Sequence, residues 1–400
     1  MRLVIETMNN DSNAQSSKAS LLYDPVARSI FFQCLTVAIV AWLVYAGVNN
    51  AITNLEKANV ASGFGFLTDR AGFDISQSLI EYTNDSSYLR AFYVGLTNTL
   101  LVSALGIFFA TIIGFSVGIG RLSKNYLVRK ICMIYVETLR NIPLLLQLLF
   151  WYKAVLGVLP NVRDAMQVGD IFLSNRGLAI PKFIPEAGAS AILWAVIIGV
   201  IAAVIIGKWA KRRQMATGQQ FPTIMVGFAL IVGLPLIALI VTGFPFTIEN
   251  PKLGGFNFNG GSVVLPEFVA LLLGLSLYTA SFIAEIVRSG ILAVSKGQTE
   301  AAYALGVRPN ITMRKVIVPQ AMRVVIPPLT SQYLNLTKNS SLAVAIGYPD
   351  LVAVFSGTVL NQTGQAVEVV LMTMLVYLAI SLITSTFMNW FNSRVSLVER

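Results

Sequence analysis

Residues 297–328 read GQTEAAYALGVRPNITMRKVIVPQAMRVVIPP. Glu300, Ala301 and Ala302 make a short helix-favouring run whose small side chains permit close packing against another surface. Gly306 stands where that helix would end, at a position that tolerates positive φ. Pro309 restarts the chain, since proline is accepted in the first turn of a helix. A second helix is expected over about 311–318, stopping before Pro319. The pattern is a helix–turn–helix with small residues on one arm and basic residues on the other. An amphipathic interfacial helix that snorkels its Arg and Lys would satisfy the same pattern.

What surrounds this stretch is apolar. Only 12% of the 400 residues are charged and 55% are hydrophobic, against roughly 25% charged in a soluble domain. Mean hydropathy is +0.70. A soluble chain of this composition would expose large sticky patches, so the sequence predicts an all-α polytopic membrane protein. There is no histidine, and there are two cysteines, Cys34 and Cys132, both in apolar runs. His-dependent triads, histidine zinc sites, disulfide frameworks and Cys-rich metal sites are thereby excluded. The net charge of +10 is expected to sit on cytoplasmic loops. No basic run carries the interleaved aromatics of a nucleic-acid site.

A span needs roughly 20 apolar residues to cross about 30 Å of hydrocarbon. Eight are expected, near 31–50, 91–120, 130–156, 187–207, 222–243, 268–292, 327–347 and 369–393. The seventh is the weakest, since it holds Lys338. The loop after span 2 carries Arg121, Lys124, Arg129 and Lys130. The loop after span 4 carries Lys208, Lys211, Arg212 and Arg213. The stretch after span 6 carries Lys296, Arg308, Arg314, Lys315 and Arg323. These three alternate loops are read as cytoplasmic, which puts both termini inside. The segments 51–90 and about 157–186 are too short to bury a large core, so any energy-converting domain is expected on another chain.

The order E-A-A, three residues, G, nine residues, aliphatic-x-aliphatic-P resembles the EAA loop of ABC-importer permeases. Glu300, Ala301, Ala302, Gly306 and Pro319 match; Val316 and Val318 stand where Ile and Leu are more frequent. Tyr135-Val-Glu137-Thr-Leu-Arg140-Asn-Ile-Pro143-Leu-Leu-Leu-Gln147 resembles the Y-x-E-x-x-R-x-x-P-L-L-x-Q signature of polar amino-acid permeases. Ala284-Glu285-Ile-Val-Arg288-Ser-Gly290 followed by Gly297-Gln298 resembles the A-E-x-x-R-x-G…G-Q stretch of the same group. Pro319-Gln320-Ala321 and Lys338-Asn-Ser-Ser-Leu342 match it as well.

The resemblance implies the histidine/glutamine/glutamate-type permease family and an ABC type I importer fold with five core helices. The core would be residues 88–156 and 266–400, with the coupling loop at 295–325. Residues 1–30 would be a cytoplasmic segment and 31–50 an added span. Residues 157–265 would be an insertion with two more spans. This larger layout is similar to permeases of general L-amino-acid importers, which implies broad specificity and import from periplasm to cytoplasm across a bacterial inner membrane. The implied partners are a cytoplasmic ATP-binding subunit, a second homologous permease and a periplasmic amino-acid-binding protein. No cofactor is expected on this chain: ATP and Mg belong to the partner, and no Walker A sequence occurs here.

Charges at membrane depth cost roughly 2.5–3.5 kcal/mol on insertion scales, so each needs a reason. Glu137 and Arg140 are spaced i,i+3, as are Glu285 and Arg288, so each pair shares a helical face and offsets its charges. The structural reading is a pair facing the bundle interior, cross-linking spans 3 and 6. The functional reading starts from a zwitterion: Arg140 grips its carboxylate by a planar fork and Glu137 takes its ammonium. Lys338 is a second carboxylate candidate, or else a structural partner of Glu368 or of a span-end carbonyl, and Glu285 and Arg288 are further substrate-binding candidates. Pro143 and the Pro327-Pro328 pair break helical hydrogen bonding, as hinges or, in the favoured reading, as packing kinks. An ion-coupled secondary transporter would explain the spans but not the loop sequence, and no inverted repeat favours it. A membrane enzyme would lack the clustered groups it needs.

Overall fold

In a computed structural model of the chain, residues 25–57, 63–254 and 257–395 are described. The expectations for the segment before residue 25 lie outside them. The helices are α1 (Pro25–Lys57), α2 (Tyr88–Gly120), α3 (Tyr126–Asn141), α4 (Leu144–Leu149), α5 (Ala189–Thr217), α6 (Thr223–Val241), α7 (Pro266–Leu292), α8 (Lys296–Ala304), α9 (Pro309–Thr312), α10 (Val318–Asn339), α11 (Leu360–Thr363) and α12 (Ala366–Val395). Among the described residues six helices are long and apolar enough to cross a membrane. Residues 126–158 add a bent pair.

The core forms where α2 and α7 lie against each other, with α10, α3 and α4 added to α7 and α12 packed on α10. Glycine makes the α2–α7 approach possible. A Cβ built at Gly114 would stand 2.6 Å from Ile283 Cβ, and one at Gly118 would stand 2.7 Å from the Ala284 carbonyl oxygen. The two glycines are four apart and so share one helical face. Val102, Ala110, Leu275, Ile283, Val287 and Leu329 fill the interior around them.

Span 3 differs from the expected single crossing. Tyr126–Asn141 and Leu144–Val158 meet at 108°. Pro143 has no N–H to offer and Ile142 is extended (φ −100°, ψ 127°), as the residue before a proline prefers. Gln147 repairs the break: its Nε2 donates to the carbonyls of Leu139 (2.8 Å) and Ile142 (2.9 Å). Pro143 is thus a corner rather than a packing kink.

The stretch after α8 also departs from expectation. No second helix stops before Pro319. From α9 the chain passes through one π-helical turn, Met313–Ile317, into α10. Pro319 lies in the first turn of α10, where its missing N–H is tolerated, and the wide turn before it accommodates the ring. Span 7 accordingly starts at Val318, keeps Pro327 and Pro328 inside the helix and ends at Asn339. Residues Ser340–Ile346 continue as 3₁₀ turns to Gly347. This crossing is long enough, but its polar residues keep it out of the set of six.

Segment 157–265 is a helical hairpin carrying a β-lobe. Helices α5 and α6 pack on each other, and their only fully buried residues are Gly199 and Ala210. At one end lie eight short strands that the sequence reading did not foresee: β1 (Met166–Val168), β2 (Ile171–Ser174), β3 (Gly177–Ile180), β4 (Lys182–Pro185), β5 (Phe246–Glu249), β6 (Lys252–Gly254), β7 (Asn257–Asn259) and β8 (Ser262–Val264). They form an antiparallel sheet in the order β1-β2-β3-β8 and two pairs, β4-β5 and β6-β7. Val162, Ala179 and Phe258 close a small core beneath them.

Candidate functional site

Two groups of polar side chains stand apart from the apolar packing. The first lies at the junction of α2, α3 and α7. Arg121 caps the C-terminus of α2 and its guanidinium pairs with Glu285 of α7. Arg288, one turn along α7, donates to the other carboxylate oxygen of Glu285 at 2.7 Å. Arg140 approaches Glu285 at 3.9 Å and Glu137 approaches Arg121 at 3.9 Å. Three arginines therefore converge on one carboxylate. The Arg140 guanidinium also lies over the Phe282 ring, 5.2 Å from its centroid.

Four of the residues singled out in the sequence are thus brought together, with one correction. Among the described residues Glu137 and Arg140 form no ion pair with each other. Each reaches a different helix: Arg140 approaches Glu285 of α7, and Glu137 approaches Arg121 at the end of α2. Arg121 was read only as a topology residue. Its position directly after a charge-free run of 30 residues was the available signal.

The second group lies where α10 gives way to 3₁₀ turns. A cavity of about 450 Å³ is lined by Lys338, Ser341, Val352, Thr373, Tyr377 and Ser381, with Met374 and Leu378 beside them. Lys338 forms no ion pair among the described residues. Glu368, its alternative partner, accepts the Gly63 backbone N–H instead. Behind the cavity, the Tyr377 hydroxyl donates to Asp350 Oδ2 at 3.2 Å. Asp350 is fully buried and its Oδ1 accepts the Ala353 N–H at 2.8 Å, capping the helical turns that follow. Sequence reasoning missed both residues.

The two groups sit at different depths. Val325 of α10 packs at Gly290, near the end of α7, whereas Leu336 packs at Gly106, midway along α2. Lys338 is 13 residues beyond Val325, so it lies about 20 Å further along the helix axis.

The loop 297–319 extends beyond the end of α7. Gly306 has φ +70° and closes α8 by two reversed bonds, Gly306 N–H to Tyr303 O (2.9 Å) and Val307 N–H to Ala302 O (3.0 Å), the Schellman arrangement. Ala302 is buried; Glu300 and Ala301 are exposed. Leu305 is 82% exposed, and Tyr303, Ile311 and Met313 are also exposed. Apolar side chains held outward on a rigid turn suit a partner surface.

A helical bundle with several helices long and apolar enough to cross a membrane, an ionic group where α2, α3 and α7 meet and an outward-facing apolar loop is the layout of a multi-span membrane protein. The profile described as binding-protein-dependent transport system inner membrane component matches residues 192–397, and the chain belongs to that family. The matched stretch opens inside α5 and takes in the hairpin as well as α7 to α12. The chain is 58% identical over 382 residues to the general L-amino acid transport system permease protein AapQ of Rhizobium johnstonii, covering 95% of each. It is 52% identical over 385 residues to the putative amino-acid ABC transporter permease protein YhdX of Escherichia coli, covering 96% of this chain and 98% of that one. A solved structure described as an amino acid ABC transporter with histidines aligns with TM-score 0.46 and 20% identity, covering 77% of this chain and 95% of that one.

Proposed function

We propose that this chain is the permease subunit of an ATP-driven importer that brings L-amino acids of many kinds into the cytoplasm. The observation that carries this reading is the loop 297–319, with Leu305 and its neighbours held outward at the end of the α7–α10 pair. Its order of residues is that of a coupling element, and the relatives at 58% and 52% identity are named as amino-acid permeases. A separate ATPase subunit takes this loop in a surface groove, and its closure on ATP moves α7 and α10 together through α8. The excess of Lys and Arg on the loops at that end supports a cytoplasmic position for it, with the β-lobe outside, where a substrate-binding protein delivers its cargo. A second, homologous permease completes the pathway.

Within the pathway, Lys338 takes the carboxylate of the amino acid, and the hydroxyls of Ser341, Thr373 and Ser381 accept from its ammonium. Holding only these two groups leaves the side chain free, which suits broad specificity. Arg140, Glu137, Glu285 and Arg288 satisfy one another and Arg121, so they serve better as a brace beside the coupling loop than as a grip.

Reconstitution tests the whole reading. In proteoliposomes holding the permeases and the co-purified ATPase, binding protein and ATP support uptake of a panel of L-amino acids, and dissipating proton and sodium gradients leaves it intact. Uptake that persists without ATP and collapses with an ion gradient would overturn it in favour of a secondary transporter.

A further inference from the structure

The end of the α5–α6 hairpin opposite the β-lobe is cationic, and neither the bundle nor the coupling loop uses it. Helix α5 runs 29 residues, about 43 Å, while hydrocarbon is about 30 Å thick. Its uncharged part, 189–207, is consumed in crossing, so Lys208, Lys211, Arg212 and Arg213 stand at headgroup level. Arg213 is already engaged: it stacks on Trp209 at 5.5 Å and donates to Gln219 at 2.8 Å. Lys208, Lys211, Arg212 and Met215 recur at helical spacing and line one surface depression. These three cations are exposed and, among the described residues, form no ion pair. No Asp or Glu occurs anywhere from residue 187 to 248.

A second depression at the same end is apolar, lined by Phe221, Ile224, Met225 and Phe228. Trp209 and Phe221 meet edge to face at 5.4 Å, tying α5 to the start of α6 here. Cations that served only to orient a span would need charge alone. Here three cations without an ion pair share one end of the hairpin with an apolar cleft, the two joined through the Trp209–Phe221 contact.

We propose that this end of the hairpin binds an anionic diacyl phospholipid. Lys208, Lys211 and Arg212 hold the phosphate, and the acyl chains lie along Ile224, Met225 and Phe228. Such a site would pin this end of the hairpin to the bilayer.

The test uses the importer complex in a neutral detergent, titrated with dioleoyl-phosphatidylglycerol while native mass spectrometry counts bound lipid. Phosphatidylglycerol is expected to bind in preference to phosphatidylcholine. The combined change Lys208→Gln, Lys211→Gln, Arg212→Gln weakens it on the order of 100-fold. Removing three charges as Lys124→Gln, Arg129→Gln, Lys130→Gln leaves it bound. Equal loss in both triple variants, equal affinity for phosphatidylcholine, or displacement by inorganic phosphate alone would overturn the proposal. Protection of Lys208 and Lys211 from acetylation by the ATPase rather than by lipid would overturn it in favour of a protein partner. On the unaltered complex, raising salt from about 0.05 M to about 0.5 M weakens the retention; salt-independent retention counts against the site. These readouts are made in detergent and do not depend on the direction of transport or on which face of the membrane the hairpin end occupies.

Discussion

Arg121 of α2 and Glu285 of α7 are joined by a direct ion pair, although 164 residues separate them in sequence. The pair stands at the end of the close α2–α7 contact, and Arg288, Arg140 and Glu137 gather around it. The Arg121 side chain is only 11% exposed, so its partner is not readily replaced by water. Arg121→Ala is expected to lower the stability of the purified complex by about 1.5 kcal/mol, the scale of a hydrogen bond to a charged group. In a Glu285→Gln background the same change costs much less, because the partner charge is already gone. A thermal-unfolding double-mutant cycle measures that coupling, and additive effects would show that the pair is not a brace.

The glycines of α2 give a sharper steric prediction. Gly114 has no room for a Cβ, which would stand 2.6 Å from Ile283 Cβ, whereas Gly47 of α1 has nothing within 4 Å. Gly114→Val is expected to force α2 and α7 apart at a cost of about 1–3 kcal/mol and to lower the yield of folded complex. Gly47→Val leaves yield and melting temperature unchanged. Size-exclusion profiles and melting curves of the two variants decide it.

The spans were legible because hydrocarbon imposes a length and an absence of charge that a single sequence displays directly. The turn that closes α8 was legible because Gly306 and Pro309 have local conformational meanings, whereas the expected stop before Pro319 was not met. The corner at Pro143 was not. A proline inside an apolar run reads the same whether neighbours bend the chain slightly or by 108°, and what decides is Gln147 reaching back to two freed carbonyls. Arg140 does reach Glu285 of α7, the cross-link between spans 3 and 6 that the structural reading offered, but Arg121 as the partner of Glu137 was missed for the same reason: i,i+3 spacing reports a shared face, not what the face meets. Asp350 was passed over because a lone acid after Pro349 looks like a loop residue until Tyr377 and α2 close over it. Two of the β-lobe's pairings, β3 with β8 and β4 with β5, run across the intervening hairpin, and no local pattern announces them.

Gln147 permits a direct check of the corner. Gln147→Leu keeps the side-chain volume but leaves the Leu139 and Ile142 carbonyls without the bonds they now accept. A loss of about 1–3 kcal/mol is expected for the unsatisfied groups, read as a lower melting temperature. Gln147→Glu, which presents acceptors to the same carbonyls, is expected to be at least as harmful.

The coupling reading makes a prediction that separates docking from folding. Leu305 is 82% exposed, so Leu305→Asp is expected to leave the melting temperature of the permease unchanged while abolishing co-purification of the ATPase. Gly306→Ala acts on the loop's shape instead. With φ at +70° a side chain costs about 1–2 kcal/mol, which frays the end of α8 and weakens the same capture partially. Pull-down of the ATPase from co-expressing cells measures both, and full retention by Leu305→Asp would show that the apolar turn is not the docking surface.

Lys338 is the decisive residue for the pathway. It lines a cavity with four hydroxyl-bearing side chains, and no carboxylate of the described chain pairs with it. Removing its charge as Lys338→Met should therefore relieve no internal pair and leave stability intact. If Lys338 takes the carboxylate common to all substrates, uptake of every amino acid in a competition panel falls together, by roughly 10-fold or more for the loss of a charge-assisted hydrogen bond. Lys338→Arg, which keeps the charge, should restore part of the uptake. ATPase activity without substrate should be unchanged in both variants, since the coupling loop lies at the other end of α10. Loss confined to one class of amino acid would instead assign Lys338 to side-chain selection. Unchanged uptake in Lys338→Met would remove the cavity from the pathway.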